Sequence, residues 1–198
     1  MVWLTWVVII ILSYLLGALP SAYILVKLKN NIDIRHFGSG NVGTTNTARA
    51  AGTGMGIAVF IVDAAKGAIP ALVGLHYSGW LAAAAGLAAF IGHLWPIWLS
   101  FQGGKGVATG FGVGVILTPW LALISLATWL IISIASGYVS LGSCVATVLL
   151  ALQMLVTSQP LPYILAVTIM AALVCWRHRS NFQNIRAGTE RKSFCKPS

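Results

Sequence analysis

GVATGFGVGVILTPWLALISLATWLIISIA, residues 106–135, is an uncharged run whose division decides how this chain is folded. A membrane span takes about 20 apolar residues, with roughly 17–25 as the usual range, so the run is long for one span and short for two. Thr118-Pro119 interrupts it. Proline has no backbone donor and either breaks a helix or begins one. The run therefore reads as a short helix from Gly106 to Leu117 and a second from Trp120 to Ser136. Everything downstream changes sides of the bilayer if that division is removed.

Outward from this point, five further apolar stretches follow the same rule. They are Val2 to Val26, Gly54 to Leu75, Trp80 to Leu99, Tyr138 to Val156 and Leu161 to Trp176. The expectation is an all-α integral membrane protein, a seven-transmembrane-helix bundle forming one membrane domain over residues 1–198. The start Met-Val-Trp-Leu has no basic n-region, so the first stretch reads as a retained span rather than a signal peptide.

Charge placement gives the orientation. The twelve Lys and Arg residues leave the apolar stretches almost entirely, Lys66 being the exception. With seven spans, the other cations all fall in Lys27 to Arg49, in Phe101 to Lys105, or in the tail from Arg177. The opposite set holds the N-terminus, His76 to Gly79, Thr118-Pro119 and Thr157 to Pro160, and carries none. By the positive-inside rule the first set is cytoplasmic, the N-terminus outside and the C-terminus inside. Merging the two halves of the 106–135 run would split the basic residues between sides, which favours seven.

Composition excludes most other classes. Hydrophobic residues make up 58% and charged residues 8%, with acids at Asp33, Asp63 and Glu190 alone; soluble domains carry roughly 25% charged residues. Net charge +9 could suit nucleic acid, but the cations sit between apolar spans. Cys144, Cys175 and Cys195 supply neither a disulfide framework nor metal spacing. No metal site or cofactor is expected.

The polar clusters carry the chemistry. Phe37-Gly-Ser-Gly-Asn-Val-Gly-Thr-Thr-Asn-Thr-Ala-Arg49 fits G-x-G-x-x-G, but a dinucleotide fingerprint needs a strand before it, and an apolar helix precedes this one. Glycines Gly38, Gly40 and Gly43 can instead aim successive N–H groups at an anion. Ser39, Asn41, Thr44, Thr45 and Asn46 add donors, and Arg49 a phosphate-matching fork. The alternative is a plain polar turn. Gln102-Gly103-Gly104-Lys105-Gly106 resembles a P-loop only in its Gly-Lys, yet a glycine-flanked lysine at a helix N-terminus suits phosphate. The alternative is a lysine that merely sets topology. Arg177-His178-Arg179-Ser180-Asn181 closes the last span, either as a further site element or as a basic stop at the headgroups. Asp63 and Lys66, at i and i+3 within a span, would each cost about 2.5–3.5 kcal/mol at mid-helix, so they should pair or snorkel, either for function or as a brace. His93 reads as a helix-packing group. All the donor-rich clusters fall on one face, which describes a site where a soluble anion meets a lipid.

At these residues the chain resembles the acyl-phosphate:glycerol-3-phosphate acyltransferases of bacteria, the PlsY family. The likeness runs through Gly38-Ser39-Gly40-Asn41 to Thr45-Asn46 and Arg49, Asp63-x-x-Lys66-Gly67, and Gly92-His93-x-x-Pro96. It continues in Phe101-x-Gly103-Gly104-Lys105-Gly106-Val107-Ala108-Thr109, Ser140-Leu141-Gly142 and Arg177-His178-Arg179-x-Asn181. Ala18, Phe182 and Asn184 depart from frequent family residues. The resemblance implies an inner-membrane enzyme with its site on the cytoplasmic face. It would move an acyl group from long-chain acyl phosphate to the sn-1 hydroxyl of glycerol 3-phosphate, giving lysophosphatidate, an early step of phospholipid synthesis. Lys105, Arg49, His178 and Asn181 would be catalytic; Ser39, Gly40, Asn41, Gly43, Thr45, Asn46, Gly103 and Gly104 would bind substrate phosphate. Partners would be the two substrates, membrane lipid and the soluble enzyme that supplies acyl phosphate.

The chain has no His-x-x-x-x-Asp, since Trp98 and Gln183 stand five residues after His93 and His178, and no Gly-x-Ser-x-Gly elbow. A mixed anhydride needs neither, so positioning without a covalent acyl-enzyme is expected, with the donor's own phosphate oxygen or His178 as base. A transporter of an organic phosphate is the alternative from another class. It would need polar residues along a path at depth, where only Asp63 and Lys66 are found.

Overall fold

Prolines and glycines decide where the apolar chain bends. A computed structural model describes residues 2–193, and the regular structure among them is helical. In order these are α1 Val2–Ala18, α2 Ser21–Asn30, a 3-10 turn Ile34–His36, α3 Thr44–Ala51, α4 Thr53–Leu75 and α5 Gly79–Leu94. A second 3-10 turn Ile97–Leu99 leads to α6 Val107–Leu117, α7 Pro119–Ser136, α8 Val139–Val156, α9 Leu161–Arg177 and α10 Arg179–Arg186.

The first span is not one straight helix. Pro20 cannot donate to the preceding turn, and the chain breaks between α1 and α2. The buried ion pair repairs that break. Lys66 Nζ donates to the Leu19 carbonyl at 2.7 Å and lies 2.8 Å from Asp63 Oδ1, which also accepts from Ser21 Oγ at 2.5 Å. Asp63 and Lys66 are thus paired as their cost requires, and they brace the kink.

Five segments are long and apolar enough to cross a bilayer: Val2–Asn30, Thr53–Leu75, Gly79–Leu99, Pro119–Ser136 and Val139–Val156. The helix α9, with 17 apolar-rich residues, reaches that length only when counted with α10, from which it is bent by 45°. The helix α6 is apolar but has only 11 residues. It differs in length from the other expected spans for two reasons. Pro119 starts a new helix at its far end. At its near end Gly106 sits against the Phe90 and Leu94 side chains, a turn inside the end of α5. Trp3 on α1 and Trp120 on α7, 79% and 77% exposed, show the outward apolar surface of such a bundle.

Small residues let the helices approach closely. Gly17 abuts the Ala89 backbone, Gly67 abuts Thr109, and Gly112 abuts Ala64. At one end of the bundle the Tyr163 ring lies against Gly79. At the other, the segments 37–49, 103–108, 138–140 and 177–193 converge. This is the end that holds the polar motifs.

Candidate active site

Two glycines with left-handed φ, +61° at Gly38 and +68° at Gly40, fold the first motif into a tight turn. Asn46 holds it closed. Its Oδ1 accepts from Ser39 N at 3.0 Å, while Nδ2 donates to the Phe37 and Ile34 carbonyls at 2.9 and 3.3 Å. The turn delivers the chain to Gly43, the N-cap of α3. First-turn N–H groups have no helical acceptor, and those of α3 belong to Thr44, Thr45 and Asn46, all on the cavity wall. One turn further Arg49 donates through Nη2 to Ser193 Oγ at 2.8 Å.

The second motif is clamped from two sides. Gly103 N donates to Leu94 O and Gly104 N to His93 O, each at 3.1 Å. From the opposite side Arg177 donates to Gly103 O at 2.6 Å and Gly104 O at 3.1 Å. A Cβ at Gly104 would run into the His93 ring, whose Nδ1 lies 3.7 Å from Asp63 Oδ1. His93 therefore packs, as expected, and what it packs under is the loop that carries Lys105. The lysine Nζ donates to Asn181 Oδ1. Burial pushes the lysine down from 10.5 to about 8, with Arg177 adding to the effect and Glu190 opposing it.

The third motif turns at the end of α9. His178 is buried, and its Nδ1 donates to Val174 O at 2.8 Å, because a carbonyl can only accept. That tautomer leaves Nε2 with a lone pair. Burial holds the ring down to about 4, so the imidazole is neutral at ordinary pH; the Lys105 and Arg177 cations push the same way. Asn181 relays from Lys105 to Glu190, donating through Nδ2 to Glu190 Oε1 at 2.6 Å. Glu190 also accepts from Ser140 Oγ at 3.2 Å and Asn184 Nδ2 at 3.4 Å.

These pieces surround one cavity of about 1050 Å³. Its polar end is formed by three helix N-termini: α3 at Gly43 to Asn46, α6 at Gly106 to Ala108, and α10 at His178 to Asn181. A helix's first turn carries free N–H groups and the positive end of its dipole, so all three bring donors to this wall. Arg49 and Lys105 add full charges. The cavity then continues into an apolar lobe between α6, α7, α8 and α9, past Phe111, Trp129, Ala146, Leu150 and Met170. Among the described residues no cluster of His, Cys, Asp or Glu could hold a metal ion.

Of the expected site residues, Ser39, Asn41, Gly43, Thr45, Asn46, Arg49, Lys105, His178 and Asn181 line this cavity. Gly40 and Gly103 line a smaller neighbour of about 360 Å³ instead. Gly103 and Gly104, expected to bind substrate phosphate, are a correction: their N–H groups are engaged by α5 carbonyls. The loop is tucked under the end of α5, and it is the N-terminus of α6 that lines the cavity. Asn46 likewise turns its amide to the loop backbone rather than to the cavity. Glu190 and Arg177 were not singled out as site residues by the sequence reading. The signal for Glu190 was its rarity, since an acid in so basic a tail needs a partner.

Comparison with known proteins follows the same lines. The family described as glycerol-3-phosphate acyltransferase matches residues 7–188. A glycerol-3-phosphate acyltransferase of Rubrobacter xylanophilus is 44% identical over 188 residues, covering 94% of each chain. That of Halalkalibacterium halodurans is 45% identical over 192 residues, covering 93% of each. The crystal structure of PlsY, an integral membrane glycerol 3-phosphate acyltransferase, in its glycerol 3-phosphate form superposes with a TM-score of 0.92 at 38% identity and 96% coverage of both chains. Its lysophosphatidic acid form gives 0.90 at 38% identity and 95% coverage of both chains.

Proposed function

The chain belongs to the glycerol-3-phosphate acyltransferase family of multi-pass membrane enzymes, and on that premise we propose that it transfers a long-chain acyl group from acyl phosphate to the sn-1 hydroxyl of glycerol 3-phosphate. The observation that carries this reading is the junction of three helix N-termini and a set of cations, Arg49 and Lys105 among them, with an apolar lobe. One substrate must present a phosphate next to a lipid chain, and the other a phosphate on a small soluble body. A cavity polar at one end and apolar at the other fits that pair.

In the proposed reaction the donor's chain occupies the apolar lobe, and its phosphate lies against the N-termini, Lys105 and Arg49. The glycerol hydroxyl attacks the acyl carbonyl carbon. The new ester C–O bond forms, the C–O bond to phosphate breaks, and inorganic phosphate leaves. The hydroxyl proton passes to an oxygen of that phosphate. His178 is a weak base in this setting, because burial keeps it neutral. Its Nε2 suits accepting a hydrogen bond and orienting the nucleophile. Asn181 holds Lys105 in place, and Ser39, Asn41 and Thr45 supply donors at the mouth. No covalent acyl-enzyme is required.

The remaining features follow the same reading. The protein is one membrane domain in the bacterial inner membrane, with seven crossings, the N-terminus outside and the site on the cytoplasmic face. The helix α6 completes the count although short, since it begins from a recessed loop. Contact with the soluble enzyme that makes acyl phosphate would shorten donor delivery.

Two measurements test it. Purified protein in detergent, given glycerol 3-phosphate and palmitoyl phosphate, should form lysophosphatidate and inorganic phosphate in equal amounts. Uptake of labelled glycerol 3-phosphate into vesicles without lysophosphatidate would instead indicate a transporter. For topology, cysteines placed at His36, Gln102 and Thr189, after removal of the native ones, should label only from the cytoplasm. Those at Tyr77 and Ser158 should label only from outside; a reversed position would break the seven-crossing plan.

A further inference from the structure

We propose that a plug made by Leu150, Met154 and Val167 closes the apolar lobe and sets the longest acyl chain the enzyme accommodates fully. This rests on the acyl-phosphate reading above and adds a specificity determinant to it.

The lobe can be followed along two helices independently. On α8 its wall is Val139, Ser140, Ser143, Ala146, Thr147 and Leu150, one helical face. On α9 it is Val174, Met170 and Val167, again one face, running from His178 at the mouth. The next position on the α8 face is Met154, which is 0% exposed and no longer part of the wall. The next on the α9 face is Tyr163, which is likewise beyond the wall. Both faces continue, but the space between them is filled. Leu150, Met154 and Val167 pack as one cluster, with Leu121 of α7 and Tyr163 and Ile164 of α9 against them.

The two helices also agree on depth. From Ser140 at the mouth to Leu150 is about 15 Å of helix rise. From His178 back to Val167 is about 16 Å by the same measure. That is about half of a roughly 30 Å hydrocarbon core, so a chain that fills the lobe ends at mid-bilayer. A longer chain has to leave the lobe sideways or fold on itself.

The test is a chain-length series of saturated acyl phosphates (octanoyl, dodecanoyl, palmitoyl, eicosanoyl) with glycerol 3-phosphate, read as kcat/KM. Each methylene that enters the lobe should raise kcat/KM about fourfold, until the lobe is full and the rise stops. Leu150→Ala with Val167→Ala should move that break to longer chains by roughly two carbons, because only part of the deleted volume opens. The eicosanoyl-to-dodecanoyl ratio should then rise roughly 15-fold. Leu150→Phe should move the break the other way, and opposite shifts cannot come from general loosening of the bundle. The KM for glycerol 3-phosphate should stay within about twofold in both, since the plug is remote from the mouth. A break that stays in place in both active variants overturns the plug and points to chains leaving sideways into lipid. Absence of turnover with every acyl phosphate in the unaltered enzyme would overturn the donor reading, and the plug with it.

Discussion

Lys105→Ala and Arg49→Ala should each lower kcat/KM by two decades or more, read as lysophosphatidate formation by purified protein. A charge-assisted hydrogen bond contributes about 1.5–3 kcal/mol, which is one to two decades. Donors aimed at developing charge in a dry site commonly contribute about 100- to 1000-fold. Lys105 meets that condition because it is held among Gly104, Asn181 and the start of α6. Near-normal activity in both variants would remove the proposed site. The lysine also predicts a pH dependence. Its pKa in the ligand-free protein is lowered to about 8, so it is a cation below that pH and neutral above it. The kcat/KM profile should therefore fall as pH rises through about 8. Bound phosphate favours the cation, so the corresponding limb of kcat lies at higher pH. A flat alkaline profile would mean that Lys105 charge is not used.

The fold was legible where the apolar runs were long and their breaks were marked by proline. Thr118-Pro119 divided the 106–135 run where α6 and α7 in fact part. Leu19-Pro20 carried the same signal inside the first span and was passed over, because the hydrophobicity on both sides stays high. α3 and α10, each eight residues, were not legible as helices at all. They lie in polar segments, and what orders them is tertiary: the Asn46 clamp for one, the Glu190 cluster for the other. The candidate site shows the same division. Glycine, lysine and arginine motifs pointed to an anion site, and most of those residues line one cavity because they share a face. The direction of each N–H group could not be read in advance. Gly103 and Gly104 read as phosphate binders in sequence, yet the close approach of α5 turns their donors inward. Arg177 closes the last span in sequence, either as part of a site element or as a basic stop, and its guanidinium pins the lysine loop. Such inversions come from which carbonyl stands nearest, a property of packing rather than of composition.

Donor choice gives the other large effect: palmitoyl phosphate should be turned over one to four decades faster than palmitoyl-CoA. The thioester has no phosphate at the reacting carbon, so the three helix N-termini, Arg49 and Lys105 have nothing there to hold. Losing one or two charge-assisted contacts at about 1.5–3 kcal/mol each accounts for that range. The thioester also cannot offer a phosphate oxygen to take the hydroxyl proton. The protein has little to substitute, because the buried His178 ring resists protonation until about pH 4 and its Nδ1 proton is committed to Val174 O. The assay compares kcat/KM for the two donors, with His178→Ala alongside. Substantial turnover of palmitoyl-CoA would sink substrate-assisted proton transfer. His178→Ala should lower turnover less than Lys105→Ala does, since orienting the hydroxyl contributes less than holding the charge. If His178→Ala instead abolished chemistry while glycerol 3-phosphate still bound, the proton would have to pass through Nε2, and the imidazole would be the base despite its burial.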